Sequence, residues 1–385
     1  MVVAGCCWAI LCSWRLARAD YLFRQDTKAS IRQAISMVSD DSAFYLRLAE
    51  LDPTDAQMLL STAVHLNRYN AQAEIELGLQ YEAEGEFGRA EQRFLRAFAV
   101  DRTYLSRWSL ASFYFRRGNE KEFWRWARKA AEMPSDSTGP LFELCWRITP
   151  DVNEITQRIV NDDPKLLRQY LDFVLSKGQA SAAAEIATRI IQHGDPNTDT
   201  PRMFAAINHL IAENEGGSAE AIWSALIAKH WVVADTAWPD NPNFSREPLP
   251  VRFDWTLPSN TGVQSVPGRF GLETEFSGLE PEECTIAEQA IVLGPGNYQL
   301  DSFYRTEGIA AGTGLQWQVI AAGTGMILAE SSDLSSESPT QAKMRFSIPP
   351  GISLAYLRLI YRRALGTSPI SGSLVISSVQ IHALS

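Results

Sequence analysis

Residues 71–102, AQAEIELGLQYEAEGEFGRAEQRFLRAFAVDR, place small and large apolar residues at a spacing that suits two close-packed helices. Leu77, Gly78 and Tyr81 fall on one helix, Gly85 turns the chain, and Phe87, Ala90, Phe94 and Ala97 line the facing stripe of a second. A helix pair in general has no reason to hold Gly78, Ala90 and Ala97 at those points. Small side chains are needed there only if the helices touch closely. The stretch is a helical hairpin. A second copy follows with one residue deleted, carrying Trp108, Ala111, Phe115, Gly118, Phe123, Ala127 and Ala130. The scheme returns over residues 166–191 with Tyr170, Gly178, Ala183, Ala187 and Ile190, and over 203–229 with Gly217, Ala221, Ala225 and Ala228. Upstream, residues 20–67 also read as helical: Ser30 is placed to cap a helix through Ile31, Ala34 and Ile35, and Leu51-Asp52-Pro53 closes another. Successive hairpins of this kind share one continuous core, so a curved helical stack with a concave face is expected.

The Leu-Gly, Tyr, Gly, Ala, Phe and Ala offsets resemble the tetratricopeptide repeat, of roughly 34 residues. Glu74 stands where that repeat usually has Trp, and Arg102 where it has Pro; Trp108 of the next copy fills the position of Glu74. The resemblance implies a solenoid whose concave groove binds a protein or peptide. The family's groove positions map onto Gln72, Ile75, Leu79, Glu82 and Ala83, and then Ser106, Ser109, Phe113, Arg116 and Arg117. Phe113, Arg116, Arg117, Leu79 and Glu82 are therefore the candidate partner-binding residues. Two guanidinium groups beside an aromatic ring suit a carboxylate-bearing peptide. The plainer alternative is two solvated arginines and a packed Phe113. Trp124 and Trp126, on a second helix, read as core.

At the N-terminus, Val2 to Trp14 carry no charge, and Arg15 and Arg18 follow. Residues 1–19 therefore read as a signal peptide, with Ala17-Arg18-Ala19 before Asp20 as a small-x-small cleavage site, or as a truncated membrane anchor whose true start lies upstream; the plainer alternative is a buried N-terminal core helix. Residues 20–238 form the expected repeat domain. The stretch 239–250, PDNPNFSREPLP, carries four prolines among polar residues and reads as a linker. Beyond it the apolar period changes from 3.6 to 2, and strands are expected at 253–257, 269–276, 289–293, 296–306, 314–322, 326–330, 342–348, 355–363 and 372–382. Residues 251–385 are thus an antiparallel β-sandwich. The fold class is a tetratricopeptide-like helical solenoid followed by that sandwich.

The phrases Gly294-Pro295-Gly296-Asn297-Tyr298-Gln299-Leu300, Gly314-Leu315-Gln316-Trp317 and Leu357-Arg358-Leu359-Ile360-Tyr361-Arg362-Arg363 resemble a bacterial jelly roll of the carbohydrate-binding-module kind. Alternation along the second phrase puts Leu315, Trp317 and Val319 on one face and Gln316, Gln318 and Ile320 on the other, so Trp317 belongs to the core. Gln316 and Gln318, with Arg358 and Arg362 from another strand, are the candidate glycan-binding residues, because planar amides and guanidinium groups suit sugar hydroxyls. A plain solvated sheet face is the alternative. The whole plan also resembles bacterial envelope proteins near exopolysaccharide export loci.

Signs of chemistry are few. The five histidines stand apart from one another and from paired carboxylates, and no phosphate loop, serine elbow or zinc motif is present. Asp40-Asp41 and Asp162-Asp163 precede helices, where acids act as caps. Glu280 to Glu283 reads as a solvated acidic loop, with a structural calcium site as the alternative. A formal net charge of −10 argues against a nucleic-acid partner. The expectation is a non-enzymatic, cofactor-free, envelope-associated scaffold: a protein or peptide partner in the repeat groove, membrane association through the N-terminus, and a membrane-anchored or periplasmic location. The alternative is a carbohydrate-binding protein whose jelly roll recruits it to polysaccharide.

Overall fold

The computed structural model describes residues 2–133, 138–235 and 237–384, with side chains from Trp8 onward. Helices α1 (Val2–Arg24), α2 (Lys28–Met37), α3 (Ser42–Leu51) and α4 (Ala56–Leu66) precede the hairpin α5 (Ala71–Ala83) and α6 (Phe87–Val100). The next hairpin is α7 (Tyr104–Arg116) with α8 (Glu120–Ala131), followed by α9 (Gly139–Ile148) and the single turn α10 (Val152–Ile155). Then come α11 (Pro164–Ser176) with α12 (Ala180–His193), and α13 (Pro196–Ala212) with α14 (Gly216–Ala228). Packing divides the chain into two compact bodies, Met1–Asn161 and Asp162–Ser385, so the last two hairpins belong with the sandwich and residues 239–250 lie inside the second body.

The hairpin geometry explains its sequence. A Cβ on Gly78 would stand 3.0 Å from the Phe94 ring, which is the close approach the small residue permits. Gly85, at φ +79°, makes the left-handed turn between the two helices. Glu74, in the position usual for Trp, is buried and pairs with Arg93 across the hairpin at 3.2 Å. Asp41 and Asp163 cap their helices, accepting from the backbone of Ala43 and Leu166 at 2.9 Å each. Ser30 is not the cap of α2. Thr27 is, and Ser30 completes a capping box from the third helical position.

At the start of the chain α1 runs without a break through the expected cleavage point after Ala19. Ala19 and Leu22 are buried, and Phe23 packs on Phe44 with ring centroids 5.0 Å apart. Among the described residues no helix is long and apolar enough to cross a membrane.

Nine strands follow: β1 (Val263–Gly268), β2 (Gly271–Ser277), β3 (Glu283–Val292), β4 (Gly296–Glu307), β5 (Leu315–Ala321), β6 (Ile327–Glu330), β7 (Thr340–Ile348), β8 (Leu354–Arg362) and β9 (Ser371–Leu384). One sheet has the order β1-β2-β9-β4-β7 and the other β3-β8-β5-β6. Setting aside the edge strand β1, the orders 2-9-4-7 and 3-8-5-6 are those of a long hairpin wound around two sheets, which is a jelly roll. Residues 253–257 form turns and a single bridge from Thr256 to Glu288 instead of the expected strand. The overlooked strand is β1, where Pro267 weakens the strand pattern and is tolerated because β1 lies at a sheet edge.

Trp317 is fully buried, 6.1 Å from the Trp255 ring, at the centre of the sandwich core. The proline-rich stretch holds neither helix nor strand, yet it is packed. Phe244 stacks on Trp255 at 4.8 Å, Arg246 clamps the buried carboxylates of Asp240 and Asp254, and the Gln289 side chain on β3 bonds both backbone polar groups of Asp240. Its polar residues satisfy one another where solvent was expected to do so. Glu280 is likewise buried, accepting from the Ile370 backbone at 2.6 Å, so the acidic loop is not solvated throughout.

Candidate functional site

The repeat surface places its five expected residues unequally. Phe113 is buried, with Phe94 and Tyr114 each 5.2 Å from its ring, so its side chain is core and not a groove contact. Arg116 and Glu82 meet in a two-pronged ion pair at 2.8 and 2.7 Å. They occupy the same position in successive hairpins, 34 residues apart, so the repeat period itself brings them together. Arg117 lies over the Phe87 ring, 3.5 Å from its centroid, and Leu79 is exposed. What remains for a ligand here is Leu79 and the outer edges of two engaged arginines.

A second opening on the helices was not anticipated. Asp172, Leu175 and Ser176 of α11 and Arg202, Ala205 and His209 of α13 line a groove of about 660 Å³. Arg202 reaches both oxygens of Asp172 at 2.6 Å. Deeper between these helices, Arg168 holds the buried Asp199 at 2.6 and 2.9 Å and keeps its carboxyl below the usual carboxylate range.

On the sandwich, strand register does bring the four expected glycan contacts to one outer face. Gln318 pairs with Arg358 across β5 and β8, and Gln316 and Arg362 follow at alternate positions. That face is already engaged. Arg358 is bound to Glu288, Arg362 to Glu283 at 3.0 Å and to Glu330 at 3.2 Å, and Gln318, only 4% exposed, donates to Glu330 at 2.9 Å. The carboxylates of β3 and β6 occupy the donors that sugar hydroxyls would need, and they hold the Arg362 guanidinium above its ordinary pKa.

The opposite, five-stranded sheet is open. Its outer face carries a groove of about 530 Å³ lined by Phe270, Phe303, Arg305, Pro339, Val375, Ser377 and Ser378. Register explains the lining. β9 carries an extra residue opposite the step from Phe303 to Tyr304, so Ser377 and Ser378 both lie at the groove. Beside this bulge, Gly271 brings β2 so close to β9 that a Cβ would stand 2.0 Å from the Ile376 carbonyl oxygen. The tight turn before it leaves Phe270 65% exposed, and Phe303 is 45% exposed. Arg305 takes part in no ion pair among the described residues. Phe303 was legible as an outward residue of an alternating strand; the bulge and Phe270's approach to it were not.

No protein-family profile and no curated protein matches the chain. Among solved structures, pilF of Pseudomonas aeruginosa aligns at 14% identity over 57% of this chain and 92% of its own, with a TM-score of 0.28. MamA aligns at 22% identity over 27% of this chain, with a TM-score of 0.26, and the chain spans 65% of MamA's length. The C-terminal CBM6 of LamC, a marine laminarinase from Zobellia galactanivorans, aligns at 15% identity over 33% of this chain and 92% of its own, with a TM-score of 0.21.

Proposed function

We propose that the chain is a non-enzymatic scaffold of the bacterial envelope, holding a protein partner on its helical repeats and contacting polysaccharide through the five-stranded face of its sandwich. The observation that carries this reading is the groove between Phe270 and Phe303. A pyranose ring has an apolar face of C–H groups and a rim of hydroxyls. An exposed aromatic ring matches the first, and Ser377, Ser378 and Arg305 match the second. The groove's volume falls within the range of small-ligand sites. The protein partner's place is the α11–α13 groove, whose lining offers Leu175, Pro201, Ala205 and His209, while Asp172 and Arg202 are engaged with each other. We place this work at an exopolysaccharide assembly or export system, the setting that the sequence resemblance implies.

The test is affinity electrophoresis of the full chain in gels containing a panel of soluble neutral and acidic polysaccharides. Retardation by at least one polysaccharide, lost in Phe303→Ala, supports the reading. Free migration in every gel, or retardation unchanged in Phe303→Ala, overturns the assignment of this face.

A further inference from the structure

The N-terminal helix changes character along its length. Its last turns are part of the domain: Ala19 and Leu22 are in the core with Ile31, Ala34, Phe44 and Leu48. Its earlier turns are bare. Trp8, Ile10, Leu11, Trp14 and Leu16 are between 58% and 71% exposed. At about 100° per residue these side chains point to every side of the helix, so no single apolar stripe exists for a protein groove to cover. An environment that surrounds the helix would cover them, and a lipid layer is one. Trp8 and Trp14 are the amphipathic residues enriched at membrane interfaces. Arg15 and Arg18 follow directly, with charge complementary to anionic headgroups. Arg15 also donates to the Met37 carbonyl at the end of α2, which ties the boundary to the folded domain. From Trp8 to Leu16 the helix rises roughly 12 Å, somewhat less than the roughly 15 Å depth of one hydrocarbon leaflet.

We infer that α1 is an uncleaved, continuous helix whose N-terminal half inserts into the lipid bilayer and whose C-terminal half is the first helix of the repeat stack. Cleavage after Ala19 would cut this helix inside the segment that packs on α2. The inference needs the envelope setting proposed above but not the glycan groove. Flotation that fails while polysaccharide binding persists overturns this inference alone, and the reverse result leaves it intact.

The test uses the full chain and a Trp8→Ser/Leu11→Ser/Trp14→Ser variant, floated with vesicles of phosphatidylcholine, alone or mixed with phosphatidylglycerol. The replaced residues are exposed, so unchanged far-ultraviolet circular dichroism and melting are expected. The parent chain should float, more so with phosphatidylglycerol, and the variant's bound fraction should fall by about tenfold. Intact mass of the membrane-bound chain should include residues before Asp20. A parent chain that stays at the bottom of the gradient, or a variant that floats equally, overturns the inference. So does a mature chain beginning at Asp20, or a dimer dispersed by the substitutions in the absence of vesicle binding.

Discussion

The two outer faces of the sandwich differ in a way that composition alone conceals. The four-stranded face is rich in groups that recognise sugars, but Arg358, Arg362 and Gln318 are engaged by Glu288, Glu283 and Glu330 on neighbouring strands. The five-stranded face has fewer such groups, yet it leaves two aromatic rings exposed around a groove. The availability of a polar group, and not its presence, distinguishes a binding face from a self-satisfied one. Hydrogen bonds made within the protein must be given up before a ligand can use them.

The largest expected effect tests whether the aromatic residues divide as described. Trp317→Ala should destabilise the second body by about 3–5 kcal/mol, measured by urea denaturation, because it empties the core. A loss below about 1 kcal/mol would return Trp317 to the surface. Next, Phe270→Ala with Phe303→Ala should weaken polysaccharide binding about a hundredfold while the denaturation midpoint moves little. Loss of fold in that double variant would blur the contrast between the faces, and unchanged affinity would break it. Arg358→Ala should cost about 1–2 kcal/mol of stability, since Glu288 loses its partner, and should leave affinity unchanged. If affinity falls instead, the four-stranded face is the binding face. Arg362→Ala, at a more exposed pair, should change stability by no more than about 0.5 kcal/mol, and by less in added salt.

Much of the architecture was legible from local pattern. Gly78, Ala90 and Ala97 announced a close helix pair because a steric requirement leaves a mark at fixed offsets. Period-2 alternation placed Trp317 in the core for the same reason. The grouping of Gln316, Gln318, Arg358 and Arg362 on one face was also readable, since alternation fixes sidedness. What the pattern did not reveal was their partners, because Glu283, Glu288 and Glu330 reach that face only through pairing among β3, β8, β5 and β6. Phe113 shows the same limit in the helices. Its groove position was read from the repeat offset alone, but rings contributed by α6 and by its own helix neighbour enclose it.

By itself the sequence determined most of the helical and extended segments, β1 and residues 253–257 excepted, and which side of each is apolar, since those properties depend on spacing along one chain. The tertiary structure decided where binding surfaces open. It packed the proline-rich strap against the core, neutralised one sheet face, and opened the other through a bulge beside Gly271. Those outcomes depend on register and close approach between segments far apart in sequence, which no local spacing records.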